Sequence, residues 1–470
     1  MAKITIIGAG GYVFPLRLVG DILSLPALQA STITLMDIDA DRLEGTAAAA
    51  RDLVRHYGFP AVIESTTERR AALDGADYVI VTFQVGGLEA YAHDVQIPRK
   101  YGLDQTVGDT LGPGGVFRFL RSAPALSDIA HDMSEVCPDA LLINYANPMA
   151  MNCWYLSSLG VKTVGLCHSV QGTSHMLARQ LDVPDDEITF RVAGINHQAW
   201  FTEFRRGDED LLPRMRETMT RRHLGRSSGS TLAPDDGDHS GKRADNVYEG
   251  GSERVRTEIM DAFGYFHTES SHHASEYLPY FRKDAGHVEE FIPQRWDYFE
   301  VCSARATGDP NADLLRKLRD RLEPSVEYGA VIVNAMETGT PAVIYGNVPN
   351  DGLISNLPAG CCVEVACLVD RNGLQPTAFG ALPPQLAAVN RTNVNVQELA
   401  VLAAQTADRE HVYHAVMLDP LTGALLTLEQ IRSLVDELFA AEARWLPQFA
   451  VGADPATRTA DVLHELVSAD

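Results

Sequence analysis

Short apolar runs alternate along the first two hundred residues with longer segments whose apolar positions recur at helical spacing. KITIIGAGG reads as a buried strand (Ile4, Ile6, Ile7) ending in glycines, and FPLRLVGDILSLPAL follows with helical spacing. STITLMDID is a second, β-branched strand ending at Asp37, and DADRLEGTAAAARDLVRHY is an Ala-rich helix begun by an Asp cap. ADYVIVTFQVGG predicts a third strand running into a glycine loop. CPDALLINYANP predicts another, stopped at Asn147-Pro148, and VKTVGLCH one more. A helix (TSHMLARQL) and a further strand (TFRVAG) complete the series. Strands alternating with helices predict an α/β fold with a Rossmann-type, doubly wound parallel sheet.

Beyond about residue 195 the texture changes. GINHQAWFTEF has the character of an antiparallel strand, and the polar segment 207–252 reads as a flexible or lid-like loop. From about 310 the pattern is helical again, with LRKLRDRLE and LTLEQIRSLVDELFAAEARWL. EVACLVDRNGLQP predicts a hairpin turning at Arg371-Asn372-Gly373. The simplest division is a nucleotide domain over 1–195 and a mixed α+β domain over 196–470, carrying substrate, metal and oligomerisation surfaces.

Charge narrows the partners. Acidic residues outnumber basic ones 63 to 39 for a net charge of −24, which disfavours nucleic acid and anionic membranes. No stretch reaches the roughly 18 apolar residues of a membrane span. Seven cysteines in 470 residues, without even spacing, suit reduced thiols in a cytoplasm.

Gly8, Gly10 and Gly11 stand where the first strand turns into the first helix. Glycine there lets the backbone approach a pyrophosphate, and the helix N-terminus offers unpaired N–H groups. Position 13, where a third glycine belongs, is Val13. Asp37, at the end of the second strand, can accept hydrogen bonds from ribose hydroxyls and repels a 2′-phosphate, which favours NAD over NADP. The NYANP stretch (144–148) adds Asn147, which can bind substrate as in lactate and malate dehydrogenase-like chains; Asn-Pro is also an ordinary turn former.

Cys167 lies at the end of a predicted strand, on the edge where such sheets bind ligands, with His197 thirty residues on. A thiolate and an imidazole can hold a divalent transition metal and leave positions open for substrate oxygens. The same spacing suits a small buried thiol and a core histidine, and bare spacing favours those. His168, next to Cys167, is open to an acid or base role. DTLGPGG (109–115), followed by Arg118 and Arg121, either closes over substrate or is a turn. GYFHTESSHHASEY (264–277) gathers His267, Glu269, His272, His273 and Glu276, as a metal cluster or as a polar rim; Cys361-Cys362 reads as core.

Together IGAGG…LMDID, FQVGG, DTLGPGG, NYANPMAMN, GLCHSVQGT, GINHQAWF, GYFHTESS, VIYGNVPNDGLI and CCVEVACLVDRNGLQPT resemble glycoside hydrolase family four, an NAD-dependent exception among glycosidases, nearly end to end. The tetrad Cys-His-Ser-Val, Cys167 to Val170, resembles the α-galactosidase (melibiase) subgroup.

The resemblance implies transient oxidation of the sugar at C3 by NAD, metal-assisted loss of the C2 proton, elimination, water addition and re-reduction. It implies Mn²⁺ held by Cys167 and His197, and NAD at Gly8, Gly10, Gly11, Asp37 and Gln84. It implies substrate at Asn147 and Arg118, and His168 as general acid. The base is expected on the helix before GYFHTESS, where Thr257 replaces a Tyr of melibiase-like chains; Glu258 is the candidate and Tyr248 the reserve. A homo-oligomer, dimer or tetramer, is implied as well. The alternatives are an α-galacturonidase or α-glucosidase of the same family, a lactate or malate-type dehydrogenase, and a nucleotide-sensing protein without catalysis.

Overall fold

The computed structural model describes residues 1–225, 252–307 and 310–450. Six strands run parallel in its first part: β1 (Lys3–Ile7), β2 (Thr32–Met36), β3 (Val62–Thr66), β4 (Tyr78–Val81), β5 (Leu141–Asn144) and β6 (Thr163–Gly165). Their order, β3-β2-β1-β4-β5-β6, is that of a Rossmann-type sheet. ADYVIV is therefore the fourth strand, not the third. β3 escapes the sequence pattern because it is an edge strand whose residues are exposed or half-buried, so it lacks the apolar run of its neighbours.

The sheet then continues antiparallel. β7 (Ile188–Ile195) and β8 (Gln198–Arg206) form a hairpin, extended by β9 (Glu209–Asp210). β10 (Ala342–Pro349) and β11 (Cys362–Asp370) insert between β6 and β7, with β12 (Gly373–Pro376) hairpinned onto β11 across Arg371-Asn372 as expected. One row of paired residues crosses the junction: Gly165, Asn347, Glu364, Gly194. It links the strand leading to Cys167 with the strand leading to His197. One sheet thus spans both sides of residue 195, which falls at the β7–β8 turn.

Alternation along the strands divides the core between the two faces. Val79, Val81 and Leu142 pack with Phe117, Leu120 and the C-terminal Leu434 and Leu438, whereas Ile4, Ile6, Ile80 and Ile143 pack with Leu16, Val19 and Ile332. Part of the expected 207–252 loop is helix: Leu212–Leu224 buries Met215 and Met219, four residues apart on one face. Residues 226–251 lie outside the described residues.

A buried ionic clamp ties the C-terminal helix Leu428–Ala441 to the nucleotide-side helices. Arg121 reaches both oxygens of Asp94 (2.8 and 2.7 Å) and Glu442 (2.6 Å), with all three side chains fully buried. Arg121 thus serves helix packing, where its place after DTLGPGG left both a loop over substrate and a turn open. No helix among the described residues is long and apolar enough to cross a membrane.

Candidate functional site

Gly8 turns the chain after β1 with φ +89°, and a Cβ there would stand 2.6 Å from the backbone nitrogen of Phe83. No side chain with a Cβ fits that approach. Gly10 donates its N–H to one Asp37 oxygen (2.8 Å) and Asp39 donates to the other (3.0 Å), which pins the carboxylate beside the turn. The helix Pro15–Ser24 starts without a side-chain cap, leaving its first N–H groups for a ligand. Gln84 follows the neighbouring strand β4 and donates to the Gly87 carbonyl (2.8 Å). Glycine turn, acid and open helix start fit a dinucleotide at the crevice between β1 and β4.

Cys167 follows β6 by two residues. His197 occupies the two-residue turn of the β7–β8 hairpin with φ +63°, and Glu269 also holds a left-handed conformation at φ +76°. Positive φ in residues other than glycine is uncommon and tends to mark functional sites. The hairpin is locked from below, because Gln198 accepts from Asn390 and Asn393 of the helix Pro384–Thr406. The thiol, one imidazole nitrogen and one carboxylate oxygen of Cys167, His197 and Glu269 lie within 4.8 Å of one another. Soft, borderline and hard donors on one point fit a divalent transition metal, and three protein ligands leave open positions. Burial holds His197 neutral, down to about 4, as a ligand requires. Burial, then the charges of Glu269 and Glu364, push the Cys167 thiol well up, a preference that a bound cation reverses.

Beside the cluster is a cavity lined by Val107, Asp109, Asn147, His197, His273, Trp296 and Tyr298. The Asn147 amide donates to Asp109 (3.2 Å) and Arg118 donates to the Asn147 carbonyl (3.2 Å). Arg118 Nη1 is buried without a hydrogen-bond partner, 4.0 Å from Asp109. Burial disfavours an ionised Asp109, but the Arg118 charge overrides it and holds the carboxyl below its usual range. His168 lies at the start of the helix Ser169–Leu181 with Nδ1 3.4 Å from Glu327. Burial opposes its charge, yet Glu327 and Glu269 raise it above the ordinary histidine value.

The structure thus brings Cys167 to His197, and sets Asn147, held by Arg118, in the cavity that His197 also lines. Glu269 and Asp109 join them, each legible in the sequence only as part of a motif. Glu258 is half-buried on the helix Arg254–Phe263 and belongs neither to the cluster nor to the cavity lining; Tyr248 lies outside the described residues. His267 is a core histidine against Trp200, with burial pushing it down to about 3. Glu364 is fully buried with Asn347 beside it, and burial, then the Glu269 charge, raise it to about 8.

Fold and site define a class: a Rossmann-type α/β protein with a metal-competent cluster at the carboxyl edge of its sheet. Models of the family 4 glycosyl hydrolases match residues 3–183 and, for their C-terminal domain, 192–422, and the chain belongs to that family. It is 41% identical to an α-galactosidase of Bacillus subtilis (strain 168), covering 96% of this chain and all of that one. Identity to an α-galactosidase of Rhizobium meliloti (strain 1021) is 38%, over 97% of this chain and 91% of the relative. A 6-phospho-α-glucosidase from gut microorganisms, solved in complex with NAD and Mn²⁺, shares the fold at TM-score 0.78 and 20% identity, over 96% of this chain and all of that one.

Proposed function

We infer that this glycosidase hydrolyses small α-galactosides such as melibiose, using NAD and a divalent metal, Mn²⁺ in the first instance. The observation that carries it is the convergence of Cys167, His197 and Glu269 beside a cavity bearing Asn147 and Asp109. The two α-galactosidase relatives support the choice of sugar. Bound cofactors would supply a hydride acceptor for C3 and Lewis acidity at the C2 and C3 oxygens. Gly8, Gly10, Gly11, Asp37 and Gln84 hold the dinucleotide; Cys167, His197 and Glu269 hold the metal. Asn147, Arg118 and Asp109 orient the sugar hydroxyls. His168, whose charged form Glu327 favours, gives its proton to the glycosidic oxygen. For the base that takes the C2 proton the sequence candidates stay Glu258, which stands outside both the cluster and the cavity lining, and Tyr248 in reserve.

In this reading residues 1–195 carry the nucleotide site together with Cys167, His168, Asn147, Arg118 and Asp109, and 196–470 complete the metal and substrate site and serve association into a homo-oligomer. A metal-binding thiolate is oxidation-prone, which suits a reducing cytoplasm. The test is a panel of nitrophenyl α-galactoside, α-glucoside and α-galacturonide with NAD⁺, Mn²⁺ and a reductant. Galactoside turnover dependent on both cofactors, with solvent deuterium at C2 of the product, is expected. Preference for the uronide or glucoside, or full activity without either cofactor, overturns it.

A further inference from the structure

The stretch HHASEY holds two groups that this chemistry leaves without a task. Glu276 is 1% exposed, yet one of its oxygens accepts from the backbone N–H of Thr106 (2.7 Å) and Val107 (2.8 Å), and the other from Gly108 (3.0 Å). That second oxygen also faces His273 Nδ1 at 3.4 Å. On its far side His273 presents Nε2 to His197 Nδ1 at 2.9 Å. The other His197 nitrogen, Nε2, is 3.5 Å from Glu269 and belongs to the metal-competent cluster.

These contacts line up the groups of a directed proton chain, with Glu276 facing His273 Nδ1 at ion-pair distance and that nitrogen making no hydrogen bond. An imidazole that offers Nε2 to a metal carries its proton on Nδ1 and needs an acceptor for it. His273 Nε2 is in place to accept, with the Tyr277 hydroxyl also near, at 3.1 Å. His273 can accept only when its own proton sits on Nδ1, the nitrogen turned to Glu276. A carboxylate at that end selects this tautomer. We propose that Glu276, acting through His273, is a positioning residue that sets the metal-binding tautomer of His197, while the same carboxylate anchors the 106–108 turn lining the sugar cavity. The cavity wall and the metal centre are then organised by one buried side chain.

Because this rests on His197 being a ligand, the experiment separates the two claims. Binding of Mn²⁺ alone is measured by titration for wild type, His197→Ala, Glu276→Gln, His273→Gln and the Glu276→Gln/His273→Gln pair. A glutamine at 273 retains an acceptor near the Nε2 position but breaks the link to Glu276. Glu276→Gln is expected to weaken Mn²⁺ binding about 10-fold or more in the wild-type background and to add nothing once His273→Gln is present. Equal weakening in both backgrounds makes Glu276 a loop anchor only and overturns the proposal, as does Mn²⁺ affinity within two-fold of wild type. Should Glu276→Gln fail to fold, His273→Leu decides: it removes the acceptor, and wild-type Mn²⁺ affinity in that variant overturns the proposal. Equal Mn²⁺ binding by wild type and His197→Ala instead overturns the ligand assignment itself.

Discussion

At the scale of single residues the centre is built from ordinary side chains in unusual conformations. His197 and Glu269 both occupy left-handed backbone, and their donors meet the Cys167 thiol, with the His197 turn held by Asn390 and Asn393. Cys167→Ser replaces a soft thiolate donor with a hydroxyl and should weaken Mn²⁺ binding by about 10-fold or more, with NAD⁺ affinity unchanged, as calorimetry with each ligand would show. His168 invites a different test. A general acid matters most for a poor leaving group, so His168→Ala should cut kcat/KM on melibiose about 100-fold or more and on a nitrophenyl galactoside much less. Equal losses on both substrates would remove His168 from that role. Cys167 and His197 were legible as candidates from their place after predicted strands. Glu269 was one polar residue among several in GYFHTESSHHASEY, and nothing in that pattern separates it from His267, which is core.

At the scale of elements, close packing sets the tolerances. Gly8 passes the β4 loop too closely for any Cβ, so Gly8→Ala should lose NAD⁺ binding and lower the melting temperature together. Arg121 bridges Asp94 and Glu442 where the last long helix meets the nucleotide-side helices, and donates to the Val85 carbonyl beside Gln84. Arg121→Leu leaves two buried acids facing each other and should cost about 3–5 kcal/mol, read as a large fall in the denaturant midpoint. The alternating β-α units were legible because each strand carries its own apolar run. β3, on the sheet edge, and the helix Leu212–Leu224, inside a polar stretch, were not.

At the scale of the whole molecule, the row Gly165, Asn347, Glu364, Gly194 joins segments far apart in the chain and buries a carboxyl within reach of the Glu269 charge. Glu364 is raised to about 8, so the folded protein holds its proton where the unfolded chain has released it. Folded binding exceeds unfolded binding between the ordinary carboxyl range and pH 8, so this group lowers stability as pH rises through that window. The slope is about 1.4 kcal/mol per pH unit for one proton. Glu364→Gln should flatten it, raising the melting temperature at pH 8 relative to wild type and leaving pH 5 nearly unchanged; a parallel shift at both values would contradict the assignment.

Local pattern by itself determined the parallel nucleotide-type sheet, the glycine turn with Asp37, and Cys167 and His197 as residues to watch, because each of these is written in adjacent residues. Only the tertiary structure decided what they form. Insertion of β10 and β11 between β6 and β7, and burial of GYFHTESSHHASEY, bring Glu269 to Cys167 and His197, and set Asp109 beside Asn147. Those meetings depend on strand order and burial, which no local periodicity encodes.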